Sequence, residues 1–242
     1  MIDVHFHCLP GVDDGPRDWD EAVALCRAAA DEGTHTIVAT PHVLREGWIN
    51  DDPSVRDELL LKLNTRLGGS PAVLAGCEYF FSADALELWE KGSSGPLTGL
   101  NRSNYLLVEF PPSWVPANAE LIFHEFSLLN VVPVIAHPER NLELATNPDR
   151  LAELIRKGAV AQLTAGSVVG TFGKSALAAA HEFLRRRLVH LIASDAHSLI
   201  RRPPQLRAAR KSIETQYGRE QATTLFETNP SAVINGGDIV GQ

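Results

Sequence analysis

Short runs of branched apolar residues alternate along this chain with longer segments whose apolar positions repeat at the spacing of a helix. The runs lack a strict apolar–polar alternation, which is typical of strands buried on both faces of a parallel sheet. Seven such strands are predicted: Ile2–Phe6, Thr36–Thr40, Ala72–Gly76, Tyr105–Phe110, Val131–His137, Val160–Thr164 and Leu188–Ser194. Because helical patterns separate these strands, the sequence predicts parallel βα units.

The segments between the strands carry recognisable helix signals. Asp18 and Glu21 have the spacing of a capping box, and Gly33 can end the helix that follows. Further helices are predicted at residues 53–67, 83–91, 117–129, 149–157, 174–187, 203–217 and 220–228, the last ending before Asn229-Pro230. No linker or change of composition divides the chain, so we expect one domain, residues 1–242, with a barrel-like α/β fold.

Composition and charge narrow the class of protein. The 44% apolar and 21% charged residues are ordinary for a soluble globular protein. A net charge of −8 argues against nucleic acid as the main partner. The odd count of three cysteines without a C-x-x-C pair favours a reducing compartment, and no apolar run approaches the ~18 residues of a membrane span. We therefore expect a cytoplasmic protein without membrane insertion.

Histidines and carboxylates recur where the predicted strands end. They are His5, His7, Asp13, Asp14, His42, Glu78, Glu109, His137, Asp195 and His197. The carboxyl ends of the strands of a βα barrel share one mouth, so these side chains are expected to converge there. Mixed imidazole and carboxylate ligands suit manganese, zinc or iron. Taken together, the positions predict a multinuclear metal hydrolase.

The sequence specifies the orientation of some of these side chains more closely than that of others. His5 and His7 are two apart on a strand, so both side chains project from the same face. Of the adjacent carboxylates, Asp14 is the favoured ligand because Gly15 frees the backbone to turn toward the site. Asp13 is equally able to do that work or to cap the loop, so the choice stays open.

The number of ligands and the nearby arginines indicate the substrate charge. Nine ligands exceed the capacity of one ion, so two or three ions bridged by Glu78 or a hydroxide are expected. Three divalent cations would outweigh four carboxylates and leave a positive pocket that suits a phosphate dianion. Arg140 and Arg202 follow ligand motifs directly, and a guanidinium there can bind phosphate oxygens and stabilise charge in the transition state.

Several of these motifs, in this order, resemble those of a known family. They are Met1–His7, Leu9–Gly15, Thr36–His42, Leu107–Pro111, Val134–Asn141, Gln162–Ser167, Ile192–His197, Arg202–Pro204 and Asn229-Pro230. The chain resembles the polymerase and histidinol phosphatase (PHP) superfamily over nearly its whole length. More closely, it resembles the bacterial manganese-dependent tyrosine-protein phosphatases encoded with capsule and exopolysaccharide genes.

That resemblance implies a distorted (β/α)7 barrel with three metal ions, usually manganese, although iron, zinc or magnesium would also fit the site. It implies a phosphotyrosyl protein substrate, typically the tyrosine autokinase that controls polysaccharide export. The implied ligands are His5, His7, Asp14, His42, Glu78, Glu109, His137, Asp195 and His197. Arg140 and Arg202 would bind the phosphate. Phe6 departs from the small residue that many relatives place between the first two histidines.

The reaction expected from this reading is direct hydrolysis by a metal-activated hydroxide, without a phosphoenzyme. A cysteine-nucleophile phosphatase is excluded, because it needs an arginine six residues after the cysteine. Those positions hold Asp14, Glu32 and Ala83. Two alternatives remain: a small-molecule phosphatase of the histidinol-phosphatase type, and a non-catalytic metal-binding regulator of the kinase. Gln162–Phe172 and Glu46–Asp52 are candidates for shaping substrate access.

Overall fold

The computed structural model describes residues 1–241 of the 242-residue chain, and its strands all run parallel. The strands are β1 Ile2–Phe6, β2 Thr36–Ala39, β3 His42–Val43, β4 Ala72–Ala75, β5 Glu78–Phe80, β6 Tyr105–Glu109, β7 Val132–Ala136, β8 Val160–Thr164 and β9 Leu191–Ala193. They include all seven predicted strands. The short strands β3 and β5 directly continue β2 and β4.

The breaks within these two extended segments have local causes. Thr40-Pro41 separates β2 from β3, and Pro41 has no N–H to offer a neighbouring strand. Gly76 separates β4 from β5, and a Cβ there would lie 2.7 Å from Val38 Cγ1. A side chain at this point would therefore force a shift of Val38 in β2.

The strands follow one another around a distorted barrel. Their order is β1-β2-β4 in one sheet and β3-β5-β6-β7-β8-β9 in the other, which the continuous segments join. Beyond β9, Asp195 N donates to His5 O and His7 N donates to Ala196 O, each at 2.9 Å. These bonds return the chain from the last strand to the first. The predicted parallel α/β architecture is confirmed.

Helices connect the strands and cover the outside of the barrel. They are α1 Trp19–Asp31, α2 Pro53–Leu67, α3 Ala85–Glu90, α4 Ala119–Leu128, α5 Leu142–Thr146, α6 Pro148–Arg156, α7 Ala165–Val168, α8 Gly173–Arg185, α9 Leu206–Tyr217, α10 Arg219–Thr223 and α11 Asn229–Ile234. The Asp18 side chain accepts a bond from Glu21 N, so the predicted amino-terminal cap of α1 is confirmed. The short helices α5 and α7 were not predicted. None of the helices within residues 1–241 is both long and apolar enough to cross a membrane.

The prediction that the last helix ends before Asn229-Pro230 is wrong. A single wide π turn, Thr224–Thr228, joins α10 to α11, and Pro230 lies in the first turn of α11. A proline is tolerated there because its missing N–H is one that a new helix does not use. The Asn229 side chain donates to His190 O and Val240 O and accepts from Val240 N, which fixes the carboxyl-terminal segment.

The barrel interior is a packed apolar core. Branched residues from successive strands, among them Val4, Val38, Leu107 and Val134, form one buried cluster, and Val233 of α11 packs against it. Burial of apolar area at about 25 cal/mol per Å² makes such a cluster a main source of stability. The interior core and the adjoining residues of α11 are apolar, whereas the buried histidines and carboxylates lie at the carboxyl ends of the strands.

Candidate metal centre

All nine predicted ligands lie together at the carboxyl ends of the strands. Their donor atoms form four overlapping groups, within each of which every atom lies within 4.8 Å of the others. The groups are His7, Asp14, His42 and His197; His5, His137 and Asp195; His5, His7 and Glu78; and His42, Glu78 and Glu109. Eight of the nine side chains are buried, and only Asp14 is exposed.

Strand β1 presents His5 and His7 to the cluster from one face, as their spacing predicts. Phe6 points to the opposite side and is fully buried in a separate apolar cluster. The two imidazoles are held from behind: His5 Nδ1 lies 2.8 Å from Gln162 Oε1, and His7 Nδ1 lies 2.8 Å from Asp13 Oδ2. With Nδ1 donating to an oxygen, each Nε2 is left with a lone pair for a metal ion.

The two adjacent aspartates occupy different positions. Asp14 Oδ1 lies 3.3 Å from His42 Nε2 and 3.2 Å from His197 Nε2, inside the cluster. The Asp13 carboxylate instead accepts bonds from His7 Nδ1, His42 N and Gly15 N, behind the histidines. This geometry favours Asp14 as the ligand and Asp13 as the residue that orients His7.

The glycine after Asp14 allows close packing of the loop on β1. Gly15 does not adopt a left-handed backbone, but a Cβ there would lie 3.0 Å from His7 O and 3.2 Å from His7 Cβ. The expected reason, freedom to turn, is therefore wrong. A Cβ at this position would push the loop from β1 by a few tenths of an ångström, so the glycine favours the close packing that brings Asp14 to the imidazoles.

Glu78 is at the centre of the cluster. Its Oε1 lies 3.3 Å from His5 Nε2 and 3.0 Å from His137 Nε2, and its Oε2 lies 3.3 Å from His7 Nε2 and 2.9 Å from His42 Nδ1. Burial opposes ionisation of this carboxyl, but the neighbouring His5 and His42 hold its pKa well below the ordinary value. A carboxylate whose two oxygens face different imidazoles has the placement of a bridging ligand.

Two of the predicted ligands depend on an unusual backbone at the strand ends. His137 has φ 34° directly after β7, and Asp195 has φ 54° shortly after β9. Left-handed conformations are costly for residues with a Cβ and concentrate at functional sites. In each case the turn aims a side chain into the cluster, where a regular strand residue would face the barrel wall or its interior.

Both predicted arginines contact the same carboxylate oxygen. Arg140 Nη1 donates to Asp195 Oδ2 at 2.5 Å, and Arg202 Nη2 donates to the same atom. Arg140 also stacks on Phe172, with its guanidinium carbon 4.7 Å from the ring centroid. The side chains of Arg140 and Arg202 are 28% and 23% exposed, so both guanidinium groups lie at the edge of the cluster toward solvent.

The donor set fits divalent cations. Glu78 Oε2 and Asp195 Oδ1 are buried side-chain oxygens that accept no hydrogen bond of acceptable geometry within the described chain, and Glu109 Oε2 accepts none although Arg45 Nη1 lies 3.0 Å away. Burial, and next the charge of Glu78, raise the pKa of Glu109 to about 7. Buried oxygens of this kind are costly unless a charge or donor satisfies them, and carboxylate with imidazole is a ligand set for manganese, zinc or iron.

Sequence reasoning missed one cation at the cluster. Arg45 Nη1 lies 2.9 Å from His42 Nε2 and 3.0 Å from Glu109 Oε2, although Arg45 belongs to no predicted motif. The turn Leu44–Ile49 carries it, and its guanidinium faces the rings of Trp48 and Phe80. Asp13, treated as an alternative ligand, and Gln162, treated as part of an access segment, also proved to orient histidines. The sequence feature that could have identified Arg45 is its position three residues after the predicted ligand His42.

The chain is similar to known proteins over nearly its whole length. The family model described as capsular polysaccharide synthesis, CpsB/CapC, matches residues 1–235. Tyrosine-protein phosphatase YwqE of Bacillus subtilis is 38% identical over 230 residues, which are 94% of this chain and 89% of the relative. Tyrosine-protein phosphatase CpsB of Streptococcus pneumoniae is 33% identical over 241 residues, covering 97% and 98%.

Solved structures agree with these relationships. A crystal structure from work on YwqE of Bacillus subtilis and CpsB of Streptococcus pneumoniae, described as metal-dependent tyrosine phosphatases, superposes with a TM-score of 0.94. Its sequence identity is 37%, and it covers 100% of this chain and 97% of that one. The Escherichia coli phosphotriesterase homology protein, at 12% identity and a TM-score of 0.61, shares the fold, covering 96% of this chain and 97% of its own.

Proposed function

The chain belongs to the CpsB/CapC family, and on that premise we propose that it is a metal-dependent protein-tyrosine phosphatase, a phosphoric monoester hydrolase. The observation that carries the proposal is the convergence of nine ligand-type side chains and two arginines at one barrel mouth. The relatives YwqE and CpsB are named tyrosine-protein phosphatases, which supports the same reaction here.

The metal content is the first part of the proposal. We propose that His5, His7, Asp14, His42, Glu78, Glu109, His137, Asp195 and His197 hold three divalent ions, manganese in the first place. The four overlapping donor groups and the central Glu78 support more than one ion. When bound, such ions make hydroxide available near neutral pH and neutralise phosphoryl oxygens.

The chain's own residues then bind and orient the substrate. Arg140 and Arg202 are placed to hold phosphoryl oxygens through paired N–H donors, which positions the phosphorus over the cluster and stabilises charge in the transition state. Asp195 keeps both guanidinium groups in place through Oδ2. The tyrosine phenolate is a comparatively good leaving group, so the reaction does not depend on a dedicated general acid.

The proposed physiological substrate is the phosphotyrosyl segment of a bacterial tyrosine autokinase that controls capsule or exopolysaccharide synthesis. The family description, capsular polysaccharide synthesis, supports this setting. Three free cysteines, all buried, support a reducing compartment such as the cytoplasm. Dephosphorylation of the autokinase in cells that carry or lack this protein would test the pairing.

The decisive experiment compares substrates before and after metal is restored. Chelator-stripped protein should release no phosphate from a phosphotyrosyl peptide, and Mn²⁺ should restore turnover. His137→Ala should abolish that turnover, whereas His124→Ala, which removes an exposed imidazole from α4, should not. Preference for histidinol phosphate would assign the protein to the small-molecule phosphatases, and metal binding without turnover would indicate a regulator.

A further inference from the structure

A large open groove adjoins one side of the metal centre. It has a volume of about 790 Å³ and lies between the loop Asp13–Arg17 and the loop His197–Arg201. Its inner wall includes Asp14 and His197, two of the proposed metal ligands, so it is continuous with the site. This volume is within the range of ligand pockets, roughly 300–1,000 Å³, and far exceeds what a phosphate group alone occupies.

The outer wall of the groove is apolar and exposed. Ile200 is 90% exposed and Leu199 is 50% exposed, side by side at the tip of the second loop. The loop is closed by its own hydrogen bonds: His197 N and Ser198 N both donate to Arg202 O, and Arg201 N donates to Ser198 Oγ. Adjacent exposed aliphatic side chains beside a cleft are typical of surfaces that bind a partner.

One cation of the groove has no ionic partner. Arg17 is paired with Glu21, whereas no carboxylate among residues 1–241 lies within ion-pair distance of Arg201. The carboxylates of the inner wall are engaged, Asp13 with His7 and Asp14 with His42 and His197. The charge left available to a ligand on this outer wall is therefore positive, against the net charge of −8 of the whole chain.

We propose that this groove binds the polypeptide on one side of the phosphotyrosine, with an apolar residue against Leu199 and Ile200 and an acidic residue against Arg201. The proposal rests on the proposed function and defines its substrate class more narrowly. Arg202, which binds the phosphate in that function, is the next residue after Arg201, so the phosphoryl site and the groove share one loop. A segment leaving the phosphoryl site along this loop meets Arg201 and Ile200 first.

The test separates peptide recognition from chemistry. Arg201→Glu should lower kcat/KM by roughly tenfold for a phosphotyrosyl peptide with acidic flanking residues, since an attraction becomes a repulsion. It should leave kcat/KM for p-nitrophenyl phosphate, which has no flanking chain, within about twofold of the parent. A peptide with lysines in place of the acidic residues should respond in the opposite direction. Arg219→Glu, which makes the same charge change at an exposed arginine outside the groove, is the matched control.

A second variant and a binding measurement complete the design. Ile200→Ser should weaken binding of a peptide with a non-hydrolysable phosphotyrosine analogue by about threefold to tenfold, as followed by fluorescence anisotropy. Ile200 is almost fully exposed, so folding should be unaffected, and circular dichroism checks this. The groove proposal would be overturned if Arg201→Glu lowered kcat/KM equally for the peptide and for p-nitrophenyl phosphate, or if it left the preference between the acidic and lysine peptides unchanged. Either result would leave the proposed function standing. A parent that hydrolyses no phosphotyrosyl peptide would overturn the proposed function and the groove together.

Discussion

Asp13 and Asp14 show how two identical neighbours acquire separate roles from the packing of one loop. Asp14 meets two imidazole nitrogens inside the cluster, while Asp13 holds His7 from behind. Carboxylates behind a metal-binding histidine fix its ring and raise its basicity, and their loss typically weakens metal binding 10–100-fold. Substitution of Asp13 should therefore change the affinity for metal ions, whereas substitution of Asp14 should change the number of ions bound.

Asp13→Asn is expected to weaken metal binding by about 10–100-fold while the number of ions at saturation is unchanged. Asp14→Asn should instead reduce the number of ions bound, because it removes the carboxylate from the group that Asp14 forms with His7, His42 and His197. Elemental analysis at saturating Mn²⁺, together with a chelator-competition titration, distinguishes the two. If Asp13→Asn bound fewer ions and Asp14→Asn bound as many as the parent, the two assignments would be reversed.

Arg45 contacts two of the atoms that a metal ion would use, His42 Nε2 and Glu109 Oε2. A guanidinium and a divalent cation cannot both occupy the same donor group at contact distance, so the two compete. Arg45→Met, which keeps an apolar stem against Trp48, should therefore increase the affinity of the cluster for Mn²⁺ by severalfold.

The measurement for Arg45→Met is a competition titration against a fluorescent chelator. Arg66→Met is a suitable control, because it removes an arginine that also stacks on a tryptophan, Trp19, but lies outside the cluster. A fall in metal affinity in Arg45→Met would mean that this arginine supports the ligands instead of competing with ions.

At the scale of secondary-structure elements, a buried histidine directly precedes β9. This residue, His190, belongs to none of the four candidate metal-binding groups. His190 Nδ1 accepts a bond from Ala161 N of β8, and the carbonyl oxygen of His190 accepts one from Asn229 at the start of α11. Burial lowers the pKa of this imidazole from 6.5 to about 4. His190 thus connects the barrel wall to the helix that packs against its core.

This depressed pKa makes the junction sensitive to acid. The unfolded chain binds a proton at His190 below about pH 6.5 and the folded chain only below about pH 4, so stability is lost as the pH falls through this interval. The histidine accounts for at most about 3 kcal/mol of that loss. His190→Asn retains an acceptor at the Nδ1 position and cannot titrate, so its free energy of unfolding should fall less between pH 6.5 and 4.

Urea unfolding of parent and His190→Asn in chelator, measured across this pH range, isolates the contribution because the metal ligands are common to both. Parallel pH profiles would show that His190 does not titrate in this interval. His181→Asn, at a half-buried imidazole that contacts Tyr217, is the control for replacing a histidine elsewhere.

At the scale of the whole molecule, the barrel concentrates buried carboxylates at one end while its interior core remains apolar. Ions that bind only the folded state stabilise it by RT ln(1 + [M]/Kd), about 2.7 kcal/mol at a hundredfold excess over Kd. For a domain of this length, each kcal/mol corresponds to about 2–4 °C in melting temperature. Removal of the ions should lower the melting temperature by about 5 °C or more, and Mn²⁺ should restore it.

Calorimetry of the stripped and reconstituted protein measures this difference. Mg²⁺, which prefers oxygen ligands, should stabilise less than Mn²⁺ at the same concentration because five of the nine proposed ligands are imidazoles. An unchanged melting temperature after proven removal of the ions would show that the buried carboxylates are already satisfied by the protein.

The sequence alone determined the strand positions and the histidines and carboxylates at the barrel mouth, although not Arg45. Buried parallel strands leave continuous apolar runs, and His5 with His7 must share a face because side chains alternate along a strand. The spacing of Asp18 and Glu21 likewise specified a helix start, since capping is a local interaction. These features depend on neighbours in the chain, which the sequence displays directly.

Only the tertiary structure decided the contacts between distant segments. It assigned Asp13 to His7 and Asp14 to the cluster, because the loop presses on β1 at Gly15. It brought Arg45 to Glu109 and placed both predicted arginines on one oxygen of Asp195. It also continued the last helix through Asn229-Pro230, where a π turn replaces the expected end. Each depends on how closely two remote backbones approach, a distance set by packing around the whole barrel.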